Sequence, residues 1–189
     1  MDDVRVPRRV LLLAGAVREW AQAKAQKATR NRARNYDADG ALLLDVDPET
    51  LECMCAYAST VLQYVLRCHG ADAKFASNSG HAFVVLNGYG VDITATQFNH
   101  YYDDRGPRFK SVEVLDLTNL PAGRLSGMWQ IDAIAQDSDA VWALHGPGGT
   151  EPWPSYQFFK SKRELNRVFK EVSDYVKTVL SGYGQWETA

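Results

Sequence analysis

Between Leu51 and Phe98 the chain carries a thiol, an imidazole and a carboxylate in the order Cys55, His81, Asp92. These residue types are the parts of a cysteine nucleophile site. The sulfur attacks, the imidazole takes and returns its proton, and the carboxylate fixes the tautomer of the imidazole. A thiol is an effective nucleophile at neutral pH only where a cation, a base or a helix N-terminus favours the thiolate. The elements around these three residues therefore decide whether they work together.

Cys55 stands at the start of a helical run. Ala58, Val61, Leu62, Val65 and Leu66 give it a broad apolar face, which predicts a buried helix from about Met54 to Cys68. Gly70 ends it, since glycine takes the left-handed conformation of a helix C-terminus. In the first turn, Cys55 meets the positive end of the helix dipole. From helix position alone, however, Cys55 reads as a buried structural thiol.

The case for chemistry comes from the next segment. Asn87-Gly88 is a two-residue hairpin signal, because a type I′ turn needs positive φ at both central positions. With that turn, Leu86 faces Tyr89, Phe83 faces Asp92 and His81 faces Thr94. Alternation then puts His81, Phe83, Asp92 and Thr94 on one face. Asp92 becomes the diagonal neighbour of His81, about 7–8 Å away between backbones and within side-chain reach. A loop one residue longer turns Asp92 to the opposite face.

The flanks read as scaffold. Val6, Val10, Leu13, Val17 and Trp20 recur at helical spacing, predicting an amphipathic helix from residue 7 to about 30. Its second half is basic (Lys24, Lys27, Arg30, then Arg32 and Arg34), which reads as a solvated helix end. The alternative is a docking face for an acidic partner or nucleic acid. Asn35 to Gly40 reads as a loop, and Leu42 to Val46 as a short strand or packed linker. Strands are expected at Ala82–Leu86, Val91–Thr94, Ser111–Leu115, Met128–Ala135 and Ala140–His145. A last helix is expected from Lys162 to Leu180. Its capping box is Ser161 and Glu164, and its stripe is Leu165, Val168, Phe169, Val172, Val176 and Val179. Helices, then a largely antiparallel sheet, then a helix make an α+β fold. Residues 1–189 are expected to form a single domain, with 1–40 as an N-terminal helical extension and 51–98 as the core motif.

Composition narrows the function classes. A chain of 189 residues, 46% hydrophobic and 23% charged, suits one globular domain. A net charge of -2 argues against a chain-wide nucleic-acid mode. Cys53, Cys55 and Cys68 are too few and too crowded for a secreted disulfide framework, so a reducing, cytoplasmic setting is expected. Val10 to Val17 is far shorter than the roughly 20 apolar residues that span a bilayer, and the acidic start Asp2-Asp3 argues against a signal peptide. Zinc is not expected, since Cys53, Cys55, Cys68 and His69 form no paired ligand spacing. His69 is expected to cap its helix by charge. His100 reads as a loop residue and His145 as a strand end. The Gly146-Pro147-Gly148-Gly149 and Pro152-Trp153-Pro154 runs read as exposed loop. Tyr101, Tyr102, Trp129, Trp142, Trp153 and Tyr156 are either core or aromatic surface for a partner. No phosphate-binding glycine loop occurs in the sequence.

Four runs together resemble the transglutaminase-like branch of the papain-fold cysteine enzymes. They are Cys55-Ala56-Tyr57-Ala58-Ser59, Leu66-Arg67-Cys68-His69-Gly70, Gly80-His81-Ala82-Phe83-Val84 and Val91-Asp92-Ile93-Thr94. That pattern has a nucleophilic Cys at a helix start, a Leu-Arg pair and a Gly closing the helix, a His-Ala-aromatic-Val strand and an Asp-x-Thr strand. The 15 positions from Cys55 to Gly70 select Cys55 over Cys53. Phe83 stands where Trp is more usual, and Met54 where a Gly precedes the Cys. The resemblance covers neither flank. It implies a papain-like fold with the Cys helix packed on an antiparallel sheet, and no cofactor. It also implies a thioester formed from an amide of a peptide or protein substrate, with Cys55 attacking, His81 carrying the proton and Asp92 orienting it. The oxyanion would meet the Cys55 N–H and, as the nearest candidate, Gln97. Water as acceptor gives peptide hydrolysis or glutamine deamidation, and an amine gives transamidation. A binding module on the same fold is the non-catalytic alternative.

Overall fold

A computed structural model describes residues 6–30, 47–52, 54–101, 108–120, 126–145, 159 and 161–182, with backbone alone at 27–30, 100, 101, 126 and 145. Helix α1 (Arg8–Arg30) leads into α2 (Cys55–Cys68). Strands β1 (Lys74–Ser77), β2 (Ala82–Leu86), β3 (Tyr89–Asp92), β4 (Glu113–Asp116) and β5 (Ala133–Ala135) follow. Helices α3 (Ser138–His145) and α4 (Lys162–Gly182) close the described chain. The fold is mixed α+β, with one five-stranded antiparallel sheet in the order β4-β3-β2-β1-β5.

The apolar periods place the layers. Val10, Leu13, Ala14, Val17 and Ala21 of α1 and Leu165, Val168, Phe169, Val172 and Val176 of α4 recur every three or four residues and are all buried. They pack with Val61, Leu62, Val65 and Leu66 of α2, which seats its other side on Val84, Leu86, Val91 and Ile93 of the sheet region. Each of these valine, leucine, isoleucine and phenylalanine side chains, fully removed from water, contributes about 1.5–3 kcal/mol. The helix expected as an N-terminal extension is thus a wall of the main core. Of its basic half, Lys24 pairs with Glu171 of α4 and lies over the Trp20 ring. Arg32 and Arg34, like the loop at 35–40 and the segment 42–46, fall outside the described residues.

Local chemistry explains the ends. After α2, Gly70 at φ 85° lets Gly70 N–H reach Arg67 O and Ala71 N–H reach Leu66 O, both 3.0 Å, which closes the helix as a Schellman motif. His69, at the C-cap, does not cap by charge. Burial holds its pKa below the ordinary value, Arg9 and Lys177 add to that, and Nδ1 faces the Arg9 guanidinium at 3.2 Å as an acceptor. On α4 the Ser161 hydroxyl accepts the Glu164 N–H at 3.2 Å.

Asn87 and Gly88 carry φ of 51° and 81°, and the pairs Leu86↔Tyr89, Val85↔Gly90 and Val84↔Val91 follow the register the turn predicts. Three expectations are corrected. The stretch Ala140–His145 is helix α3, because Asp137 caps it, accepting the Ala140 N–H at 2.8 Å on its side chain. Within Met128–Ala135 only Ala133–Ala135 is strand, and Ser126–Trp129 is a turn of 3-10 helix. Strand β1, between α2 and the hairpin, has no counterpart among the expected strands; it is only four residues long and buried at three of them.

Candidate functional site

Three elements bring the thiol, imidazole and carboxylate together. Cys55 is the first residue of α2, after Met54, whose side chain makes no cap hydrogen bond. The first-turn N–H groups have no carbonyl one turn earlier within the helix. His81 ends the β1–β2 connection, in which Asn78 N–H bonds His81 O at 2.9 Å. Asp92 is the last residue of β3. Cys55 is 4% exposed, and His81 and Asp92 are 0% exposed.

His81 Nε2 lies 2.6 Å from Asp92 Oδ2. The other carboxylate oxygen, Oδ1, accepts the Thr94 N–H at 2.8 Å and the Thr94 hydroxyl at 3.0 Å. Oδ2 also accepts the Trp129 indole N–H at 3.1 Å. Burial disfavours the charged form of Asp92, but the His81 charge and hydrogen bond, with the Thr94 and Trp129 donors, outweigh it and hold its pKa below the ordinary carboxylate value. For His81, burial opposes the cation. The charge and hydrogen bond of Asp92, reinforced by Cys55, prevail and push the imidazole up to about 10. The pair stands as imidazolium and carboxylate at neutral pH.

The second ring nitrogen, Nδ1, is buried without an aligned hydrogen-bond partner, yet the Cys55 side chain is near enough to act on the imidazole. The sulfur is thus a close neighbour of a cation rather than an end of a well-formed hydrogen bond. The Phe98 ring stands edge-on to the imidazole at 4.8 Å, Trp129 at 6.2 Å, and Phe83 stacks at 6.0 Å. This aromatic layer, with Ala76, Ala95 and Leu115, fills the sheet face opposite the main core and keeps water from the ion pair. Cys55 itself packs with Ala56, Phe75, Ala82, Ala135 and Val141.

Two participants were not foreseen. Trp129, expected as core or partner-facing surface, is 2% exposed and bound to Asp92. Asn78 is the second. Its Oδ1 accepts the Gly80 N–H at 2.9 Å and the His81 N–H at 2.8 Å. Its Nδ2 donates to the carbonyls of Gly127, Met128 and Gln130 at 3.3, 2.9 and 2.9 Å. One amide therefore sets the backbone of His81 and the turn that carries Trp129. Those bonds also occupy carbonyls that a strand through Met128 would use. An Asn three residues before a His, in an Asn-Ser-Gly-His run, is the only sequence signal for it.

Gln97 lies in the turn that leaves β3 and is buried. Its Nε2 donates to Thr94 O at 3.0 Å, where it caps the turn leaving β3. Cys68 is exposed at the far end of α2, about 20 Å from Cys55 along a helix of this length. Cys55 and Cys68 cannot share a metal. Among the described residues no cluster of His, Cys, Asp and Glu has the makings of a metal site, and no helix is long and apolar enough to cross a membrane. Cys53, Trp153, Tyr156 and the glycine-rich run at 146–149 lie outside the described residues, as do the side chains of His100, Tyr101 and His145.

The arrangement offers a nucleophile, a proton carrier and a fixed countercharge. No family model, curated protein or solved structure matches the chain.

Proposed function

We propose that this chain is a cysteine-dependent hydrolase acting on amide bonds of a peptide or protein, as a peptidase or glutamine deamidase, on a papain-like fold of the transglutaminase-like kind. One observation carries the reading: Cys55, His81 and Asp92, from three separate elements, meet as thiol, imidazole and buried carboxylate. In the proposed reaction the Cys55 sulfur attacks the amide carbon as a thiolate, which the adjacent imidazolium favours. The Cys55 N–H, at the head of α2, faces the developing oxyanion. As the C–N bond breaks, His81 Nδ1 gives its proton to the departing amine, leaving a thioester. Water then adds to that carbonyl, His81 takes its proton, and the thiolate leaves. Asp92 holds the imidazole throughout by its Nε2 side. Free thiols at Cys55 and Cys68 suit a reducing compartment such as the cytoplasm.

A second reading has its own support. Cys55 and His81 are almost wholly covered, which suits a binding module that keeps the fold without turnover. Transamidation is the same chemistry with an amine in place of water.

Alkylation of the native protein with iodoacetamide, read site by site by mass spectrometry, separates these readings. Exposed Cys68 serves as the reference thiol. Faster modification of Cys55 than of Cys68 at neutral pH, lost in His81→Ala, is the expected result. A Cys55 that reacts only on unfolding would sink the catalytic reading and leave the binding module.

A further inference from the structure

We propose that Arg18, on the N-terminal helix, is a positioning residue for this site: its guanidinium ties the turn that launches the Cys55 helix to the strand that presents Asp92. The inference rests on the catalytic reading above and adds to it a residue that the resemblance does not include.

Arg18 is 4% exposed, an unusual place for a cation, and one that requires its N–H groups to be occupied. It donates to the carbonyl of Ile93, the residue after Asp92. It also donates to the carbonyl of Glu49 at 2.6 Å and to Thr96 Oγ1 at 3.0 Å. The Thr96 hydroxyl in turn donates to Thr50 O at 3.1 Å. The two backbone segments so joined are the ones that matter. Residues 47–51 run directly into Met54 and Cys55, and 93–96 leave directly from Asp92.

The launching turn is strained. Leu51 has φ of 57°, a left-handed conformation that a bulky side chain rarely adopts, yet its side chain is wholly buried. Such a conformation persists only where its surroundings over-determine it. Asp47 bonds the turn from within, through Glu49 N–H at 2.9 Å and the Thr50 hydroxyl at 3.1 Å. Arg18 and Thr96 hold it from without. The planar fork of arginine reaches acceptors on two segments at once, which a lysine ammonium on a flexible stem does not reproduce. Asp92 is also the charge that the guanidinium feels, opposing the fall that burial imposes on its pKa.

The test compares Arg18→Lys and Thr96→Val with the wild type. Lysine keeps the charge and loses the fork. Valine removes both bonds of the Thr96 hydroxyl, the one accepted from Arg18 and the one donated to Thr50, and leaves Arg18 in place on the Ile93 and Glu49 carbonyls, so it remains readable where Arg18→Lys fails to fold. Two quantities are measured: the Cys55-to-Cys68 alkylation ratio, and the titration of the His81 imidazole followed by nitrogen NMR. The expected result is a roughly tenfold or greater fall in the ratio for Arg18→Lys, a smaller fall for Thr96→Val, and His81 titration moved towards the ordinary imidazole range in both. Folded variants with the wild-type ratio and His81 titration would overturn the proposal, as would full rescue by lysine. If the wild type itself shows no His81-dependent reactivity, the catalytic reading fails, and the His81 titration alone decides whether Arg18 sets the geometry.

Discussion

Trp129 donates its indole N–H to Asp92 across 37 positions of sequence, on the same carboxylate oxygen that His81 holds. The carboxylate is buried, so each donor it keeps counts for more than a surface hydrogen bond. Trp129→Phe keeps an aromatic ring, smaller than the indole, and removes the donor. It should destabilise the protein by at least about 1.5–3 kcal/mol, the range for a hydrogen bond to a charged group, with the lost volume adding to it. Urea unfolding checks this, and the acid limb of the stability curve should move to higher pH, since Asp92 would then be easier to protonate.

The His81–Asp92 pair makes stability depend on pH in both directions. His81 is raised from 6.5 to about 10, so its contribution is complete below pH 6.5 and lost as pH rises through about 10. Asp92 is lowered from 3.8, so its contribution is present above that value and lost as pH falls through its depressed pKa. The two shifts describe one interaction and are counted once. Thermal melts across pH should show a plateau with a fall on each side, and His81→Gln should flatten the alkaline fall.

Asn78→Asp separates two jobs of one side chain. The carboxylate still accepts the Gly80 and His81 N–H groups, but the amide donor to Gly127, Met128 and Gln130 is gone. Tryptophan fluorescence should report a looser Trp129. Cys55 alkylation should fall by more than the loss of stability accounts for. Unchanged fluorescence would show that the turn at 126–130 is held by its other contacts.

On the hydrolase reading proposed above, Asp92→Asn should lower turnover by at least about a hundredfold with little effect on substrate binding, since general acid–base catalysis contributes about 10²–10⁴-fold. Steady-state kinetics on a peptide or glutamine substrate separates kcat from KM. Loss confined to KM would contradict the orienting role.

Leu62→Ala tests the scaffold apart from the site. Leu62 is wholly buried in the middle of α2, and truncating a core leucine costs about 2–5 kcal/mol. The denaturant midpoint should fall with its slope unchanged.

What the sequence revealed was local. The Asn87-Gly88 turn could be read because two adjacent residues determine it, and once placed it fixed which side chains share a strand face. The helix stripes of α1, α2 and α4 were legible for the same reason: the repeat lies within each segment. Helix α3 reads as strand in the sequence because Ala140-Val141-Trp142-Ala143-Leu144 is as apolar as one, and only the cap at Asp137 marks it as a helix. The partners of Asp92 and the clamp of Arg18 join residues that only the folded chain brings near. Nothing in the sequence around Trp129 or Arg18 marks them.

The hairpin turn has a chemical consequence. An asparagine followed by glycine is the pair in which the next backbone nitrogen closes most readily on the side-chain amide, giving a succinimide that opens to aspartate or isoaspartate. At Asn87-Gly88, both exposed, isoaspartate would insert an extra carbon into the backbone of a two-residue turn. The pair nearest the turn, Leu86↔Tyr89, would meet that extra length first, while the pairing of β2 with β1 and of β3 with β4 holds the strands beyond it. Slow ageing of one amide on the surface would thus load the hairpin whose register sets His81 beside Asp92.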